Sequence, residues 1–292
     1  MTVVTPNAIG TSLGLLGDEW SLLIVQQELL GVRRFSALQS ALGIGPTVLS
    51  SRLTALVDGG VLDKREDGYW LTEAGKDLWS LLLCIWSWEQ RWVQGEALPA
   101  MRHTACGEVF APALHCPGCD RPADSGDVSV RLGPSGELAR AVPVGRNRRR
   151  TGSSRAEGPG LFPETMALMG SRWSSATLGA AFLGARRFRD FEAVLGAPPN
   201  VVSERLRQFV ELGVLDTGYA LTDKGRDFFP AVAQLVAWGE RWHPAPDGPA
   251  LVATHACGAP FVPQLVCNGC AAPLNRGTVA IERSRTQQRK SS

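Results

Sequence analysis

The chain is poor in histidine, with four among 292 residues. No paired acid/base constellation and no glycine-rich phosphate loop makes up for this shortage, so the sequence gives no reason to expect an enzyme. Neither sign of charge is in excess. The net charge is +2, which by itself predicts no partner. The first ten residues, "MTVVTPNAIG", lack the basic start and long apolar run of a secretory signal. No uninterrupted apolar run approaches the roughly 20 residues that span a bilayer. The expectation is a cytoplasmic protein with no membrane partner, in a compartment where stable disulfides are disfavoured.

What the chain does have is repetition. "LLGDEWSLLIVQQELLGVRRFSAL" at 15–38 returns as "LMGSRWSSATLGAAFLGARRFRDF" at 168–191, and "VLSSRLTALVDGGVLD" at 48–63 returns as "VVSERLRQFVELGVLD" at 201–216. "YWLTEAGKDL" at 69–78 returns as "YALTDKGRDF" at 219–228. The offset is 153 residues in the first stretches, 150 from Tyr219 and 151 at the cysteines. This is a tandem duplication of one unit, not a solenoid.

Within the first unit, apolar residues at helical spacing predict a helix over 18–30, a short helix from Phe35 to Leu42, and a third beginning near Pro46. Two β runs around Asp67-Gly68 predict a hairpin, and Thr72 starts a long helix over 73–93. That order is a winged helix-turn-helix. The third helix offers Thr47, Ser50, Ser51, Arg52 and Thr54. The small hydrogen-bonding side chains among these can approach base edges without filling the groove. Arg33 and Arg34 sit where phosphate contacts are useful, and Lys64 and Arg65 lie on the wing. Taken singly, each residue fits a helical core with a solvated polar face; the ordered combination, met twice, favours DNA binding.

Several motifs together resemble the HxlR-type winged-helix transcriptional regulators. They are the tryptophan before an apolar helix, the Arg-Phe pair, the Leu-Ser-x-Arg-Leu helix and the Leu-Thr-x-x-Gly helix start. The resemblance covers about 80 residues of each half. It implies a DNA-binding fold that dimerises through its first and last helices. It carries the second half's Arg186, Arg187, Asn200, Ser203, Glu204, Arg205 and Arg207 as counterpart DNA-binding candidates. Two departures stand out. The oxidant-sensing cysteine of some relatives is absent before the first helix, and Cys84 reads as core. The second wing, "VLDTGYALT", carries no lysine or arginine, so the halves are not expected to read the same bases.

The remaining six cysteines form two sets with the spacing Cys-x9-Cys-x2-Cys: Cys106, Cys116 and Cys119, then Cys257, Cys267 and Cys270. With His103 or His255 upstream, each set predicts a Cys3His site for structural zinc, two ions per chain, in a ribbon too small to fold without a metal. The histidines are not at aligned positions, which leaves His115 and Asp120 as other candidates in the first set. A redox Cys-x-x-Cys pair would need a thioredoxin-like context that is missing, and vestigial metal-free cysteines are the blander alternative.

The expected fold is mainly α (α+β), with two winged helix-turn-helix domains, each followed by a small zinc-ribbon-like module. The boundaries are 1–98, 99–132, a flexible basic linker at 133–160, 161–247, 248–282 and a basic tail at 283–292. The expected function is a sequence-specific regulator of transcription bound to double-stranded DNA, working as an intramolecular pseudo-dimer or a homodimer. The alternative is a protein-interaction module docking on transcription machinery. An unidentified small-molecule effector has a candidate place among Trp79, Trp86, Trp88, Trp92, Trp238 and Trp242, against plain core or dimer packing. The arginines at 146, 148, 149, 150 and 155 are candidates for extra phosphate contacts, against a solvated linker.

Overall fold

The computed structural model describes residues 5–94, 98–141 and 162–282. Its first helix, α1 (Ala8–Leu16), begins where the Asn7 side chain accepts the Gly10 N–H. No helix was expected there. Asp18 caps α2 (Glu19–Leu29) in the same way. α3 (Phe35–Leu42) ends at Gly43, whose φ of 61° is the left-handed conformation that glycine tolerates. α4 (Pro46–Asp58) starts on its proline and buries Leu49, Leu53 and Leu56. The wing is β1 (Leu62–Arg65) paired antiparallel with β2 (Gly68–Leu71). The long helix expected over 73–93 is broken at Leu78 into α5 (Glu73–Asp77) and α6 (Trp79–Glu89), followed by a π-helical turn, Gln90–Gln94.

Four strands and a short helix follow: β3 (Met101–His103), β4 (Pro112–Cys116), β5 (Arg121–Pro122), β6 (Val128–Leu132) and α7 (Leu138–Ala141). The second half repeats the helices as α8 (Pro163–Met169), α9 (Arg172–Phe182), α10 (Phe188–Leu195), α11 (Pro199–Glu211), α12 (Asp223–Arg226) and α13 (Phe229–Trp242). β7 (Leu251–His255), β8 (Gln264–Cys267) and β9 (Val279–Ile281) close the chain's described part. The second wing is reduced to one bridge between Leu215 and Leu221, with Asp216 accepting the N–H groups of Gly218 and Ala220.

The two halves meet through contacts that occur in equivalent pairs. The Trp88 indole donates to the Lys224 carbonyl at 2.9 Å, and Trp238 donates to the Ala74 carbonyl at 2.8 Å. Trp92 donates to Asp227 at 3.0 Å, and Trp242 to Asp77 at 2.8 Å. Arg91 pairs with Asp227, and Arg241 with Asp77. Every partner is displaced by the same 150 residues from its counterpart. This is the pattern of a two-fold, self-complementary interface, here made inside one chain. It also takes up four of the six tryptophans that the sequence offered either as an effector place or as core and dimer packing. Those four indoles are bound across the interface, while Trp86 is buried.

The strands follow the same two-fold logic, which corrects the expectation of self-contained ribbons. β3 pairs with β9, β4 with β8, and β6 with β7, all antiparallel. Each of these pairings takes one strand from each cysteine module, while within the first module β4 also pairs with the short β5. Part of the expected linker is also structured. Asn7 donates to the Ser135 carbonyl, Ser135 donates to the Gly248 carbonyl, and Arg140 pairs with Asp247. The arginines at 146 to 155 and the tail at 283–292 lie outside the described residues. No single described helix is long and apolar enough to cross a membrane.

Candidate functional site

The exposed face of α4 follows from helical spacing. With Leu49, Leu53 and Leu56 turned into the core, Thr47, Ser50, Ser51 and Thr54 are left exposed. Arg52 does not join them. It is half-buried, and its Nε lies 3.1 Å from Asp18, the carboxylate that caps α2. Its charge ties α4 to α2. In α11, Asn200, Ser203, Glu204 and Arg207 are exposed, whereas Arg205 is half-buried and donates to Gln208 at 2.7 Å and to Glu204 at 2.8 Å.

The first wing is braced by a stack that the sequence did not suggest. The Arg33 guanidinium lies 3.6 Å from the centre of the Trp70 ring, and Arg65 lies 5.0 Å from it. Arg33 also pairs at 3.2 Å with Glu28, a buried carboxylate that accepts the Leu71 N–H. The Arg33 carbonyl accepts from Tyr69, which joins the wing to the α2–α3 loop. Arg33 is therefore largely committed to the fold, while Arg34 and Lys64 stay exposed. The signal was available in the pairing of Asp63 with Trp70 across the hairpin, which sets Trp70 beside the wing cations. The second half has Ala181 and Ala220 in place of Glu28 and Trp70. There Arg186 donates to the carbonyls of Ala181 and Ala185 instead, and Arg187 is exposed at the start of α10.

The metal-ligating residues gather into two clusters, each crossing between the halves. One holds His103, Cys106, Cys267 and Cys270; the other holds His255, Cys257, Cys116 and Cys119. In each, the ligand atoms all lie within 4.8 Å of one another. The expected quartets took all four ligands from one module, and the strand exchange explains the difference. Pairing β4 with β8 sets each Cys-x-x-Cys turn against the other module's His-Cys turn. In the first cluster, His103 Nδ1 is 3.3 Å from both Cys106 and Cys270, and Cys106 is 3.9 Å from Cys267. In the second, His255 Nδ1 is 3.6 Å from Cys119, and Cys116 is 3.9 Å from Cys257. A tetrahedral ion bonded to sulfur at about 2.3 Å requires sulfur–sulfur edges of about 3.8 Å, so the donor set and its spacing fit a metal of that kind.

The histidine misalignment also has a geometric answer. The Gly107 N–H returns to the His103 carbonyl four residues back, whereas the Gly258 N–H returns to the His255 carbonyl three residues back. Both glycines take a positive φ, 77° and 87°. The second turn is one residue shorter yet delivers the imidazole to the same place. Both histidines are buried, at 0% and 4% exposure. His115 and Asp120 stand outside the clusters, 3.7 Å from each other. Arg121 donates to Cys119 and holds its thiol below the ordinary range. Its counterpart in the other cluster is Ala272. Cys84 is a buried core thiol, pushed well up by desolvation.

Comparisons with known proteins bear on the two helix-turn-helix regions. The family described as HxlR-like helix-turn-helix matches residues 15–97 and again 168–247. MT3179 of Mycobacterium tuberculosis (strain CDC 1551 / Oshkosh), named an uncharacterized HTH-type transcriptional regulator, is 36% identical over 141 residues. That match covers 44% of this chain and 89% of that protein. Rv3095 of Mycobacterium tuberculosis (strain ATCC 25618 / H37Rv) carries the same description and the same figures. YvaP of Bacillus subtilis (strain 168), also named an uncharacterized HTH-type transcriptional regulator, is 28% identical over 95 residues, 28% of this chain and 85% of that protein. No solved structure matches. The two matched regions together exceed half of the sequence, and the chain belongs to the HxlR-like helix-turn-helix family.

Proposed function

We propose that this DNA-binding transcriptional regulator works as a covalent pseudo-dimer, each half supplying one recognition helix. The observation that carries the reading is the paired set of indole bonds, Trp88 to Lys224 and Trp238 to Ala74, repeated by Trp92 and Trp242. A dimeric relative presents two recognition helices to successive major grooves about 34 Å apart. Here both would come from one polypeptide in a fixed ratio. α4 is the stronger reader, with Thr47, Ser50, Ser51 and Thr54 at base edges and Arg34, Lys64 and Arg65 on phosphates. α11 is the weaker one: Glu204 repels phosphate but is suited to accept from a cytosine amino group, and its wing has no cation. The preferred site is then asymmetric or an imperfect palindrome.

The two clusters are assigned to structural zinc, one ion each. Three thiolates and one imidazole suit that ion, and the groups that would hold it come from both halves. Its chemistry when bound is coordination alone, clamping the interlaced strands together. The protein is proposed to reside in the cytoplasm, where free thiols are maintained.

Selection of duplexes from a random pool by the full chain tests the reading. One asymmetric site should be enriched, and binding should weaken steeply with salt. Ser51→Ala and Thr47→Ala should lower affinity at that site without changing the melting temperature. No enrichment of any sequence would overturn it. The reduced second wing and the exposed Glu204 favour one other reading, in which the second half docks on a protein of the transcription machinery. Recovery of polymerase subunits by the full chain with no duplex retention would support that instead.

A further inference from the structure

The two-fold relation also breaks between the packed helices. Between α9, α13, α1 and the β6–β7 pair lies a cavity of about 550 Å³. The equivalent place in the other half, between α2, α6 and α8, has no room for a water; Leu22, Leu23, Leu82, Ile85, Phe162 and Met166 close it. The difference lies in the side chains. Ala176, Gly179, Val232 and Val236 stand in the second half where Leu23, Gln26, Leu82 and Trp86 stand in the first. Each change is large to small, and changes of that kind leave space when the backbone cannot collapse. Here the backbone is held on two sides. α1 packs against α13 at Gly239, and the β6–β7 ladder forms the far wall.

The space is apolar. Most polar groups at its border already have protein partners: Ser175 donates to the Met169 carbonyl, Asn7 to the Ser135 carbonyl, Glu240 accepts the Ala250 N–H, and Arg241 pairs with Asp77 across the interface. Little remains to recognise a charged or sugar-like molecule. The size falls within the roughly 300–1,000 Å³ of small-molecule sites. We infer that this cavity is a binding site for one small, uncharged, apolar organic molecule, present in the second half only. A molecule seated there would touch α9 of the second reading unit and the interface helix, α13, together.

The test uses the full chain and N-phenyl-1-naphthylamine, an uncharged naphthyl probe whose fluorescence rises in an apolar site. Saturable binding of one probe per chain is expected. Ala176→Leu with Gly179→Gln, the residues that the closed half carries, should weaken it at least ten-fold. Gly179→Gln alone is the gentler variant, because a Cβ at Gly179 meets nothing within 4 Å. Unchanged melting temperatures would show that both variants fold. Absence of a one-to-one site, or equal binding by the filled variants, overturns the proposal. So does a wild type that binds no probe while a chain with 146–158 replaced by Gly and Ser does, since the protein's own segment would then occupy the space. Probe binding is read without DNA, so its outcome is separate from that of the proposed DNA reading.

Discussion

The crossed clusters make a prediction that a count of metal ions decides. Cys106 and Cys267 share one cluster, whereas Cys106 and Cys116 belong to different ones. The double variant Cys106→Ser with Cys267→Ser should therefore retain one zinc per chain, held by Cys116, Cys119, His255 and Cys257. The double variant Cys106→Ser with Cys116→Ser should retain none. Two ribbons closed within their own modules would give the reverse order. The energies follow from linkage. A site at a free metal concentration 1,000 times its dissociation constant adds about 4.1 kcal/mol to stability. Two lesions in one cluster should cost about as much as one, roughly 4 kcal/mol, and lesions in separate clusters about twice that. Inductively coupled plasma mass spectrometry on purified protein gives the ion count, and urea unfolding at fixed free zinc gives the energies. One ion in the Cys106/Cys116 variant with none in the Cys106/Cys267 variant would refute the strand exchange.

Trp92→Phe and Trp242→Phe each remove an indole donor to a partly exposed aspartate and should cost similar amounts, about 1 kcal/mol each in urea unfolding; a difference of several-fold would break the two-fold relation. Gly239→Ala places a Cβ 2.9 Å from the Ala8 carbonyl and nearer still to the Ser12 hydroxyl, so overpacking of α1 on α13 should cost about 1–3 kcal/mol and lower the melting temperature. Trp70→Ala removes the ring between Arg33 and Arg65, a contact worth about 0.5–2 kcal/mol, and should weaken duplex binding more than it lowers the melting temperature; equal effects on both would mean that the ring supports the core. Burial lowers the pKa of His243, so the unfolded chain takes up its proton more readily than the folded one. This part of the stability is present above the unfolded value of about 6.5 and is lost as pH falls through the lower folded value. His243→Gln should flatten the fall in urea midpoint between pH 7 and 5.5, and an unaltered slope would remove the assignment.

Local features of this fold were legible because local rules set them. Pro46 at a helix start, Thr72 as a cap and Asp67-Gly68 in a hairpin all stand where expected, since each depends on its immediate neighbours. α1 was missed because its apolar stripe is interrupted by Gly10 and Gly14, and its stability comes from packing on α13 rather than from propensity. In the sequence Arg33 reads as a phosphate contact and Arg52 as a recognition-helix candidate at the edge of the packed face. Only tertiary placement beside Glu28, Trp70 and Asp18 shows that their charges serve the fold.

The cysteine clusters show most sharply where local reading stops. Cys-x9-Cys-x2-Cys specifies which residues can ligate, and all six cysteines do gather with a histidine. The same spacing is equally compatible with four ligands from one module or two from each. Nothing local distinguishes these, because a duplicated sequence offers each strand two similar partners. The choice rests on long-range pairing: β4 lies against β8 in a register that places Pro112 opposite Cys267 and Ala113 opposite Val266. That register, with the interface tryptophans, sets each Cys-x-x-Cys turn beside the foreign His-Cys turn. A metal held there would resist separation of the two halves as well as fraying of the paired strands. Duplication within one chain keeps the two turns at high mutual concentration, so the exchange needs no second molecule.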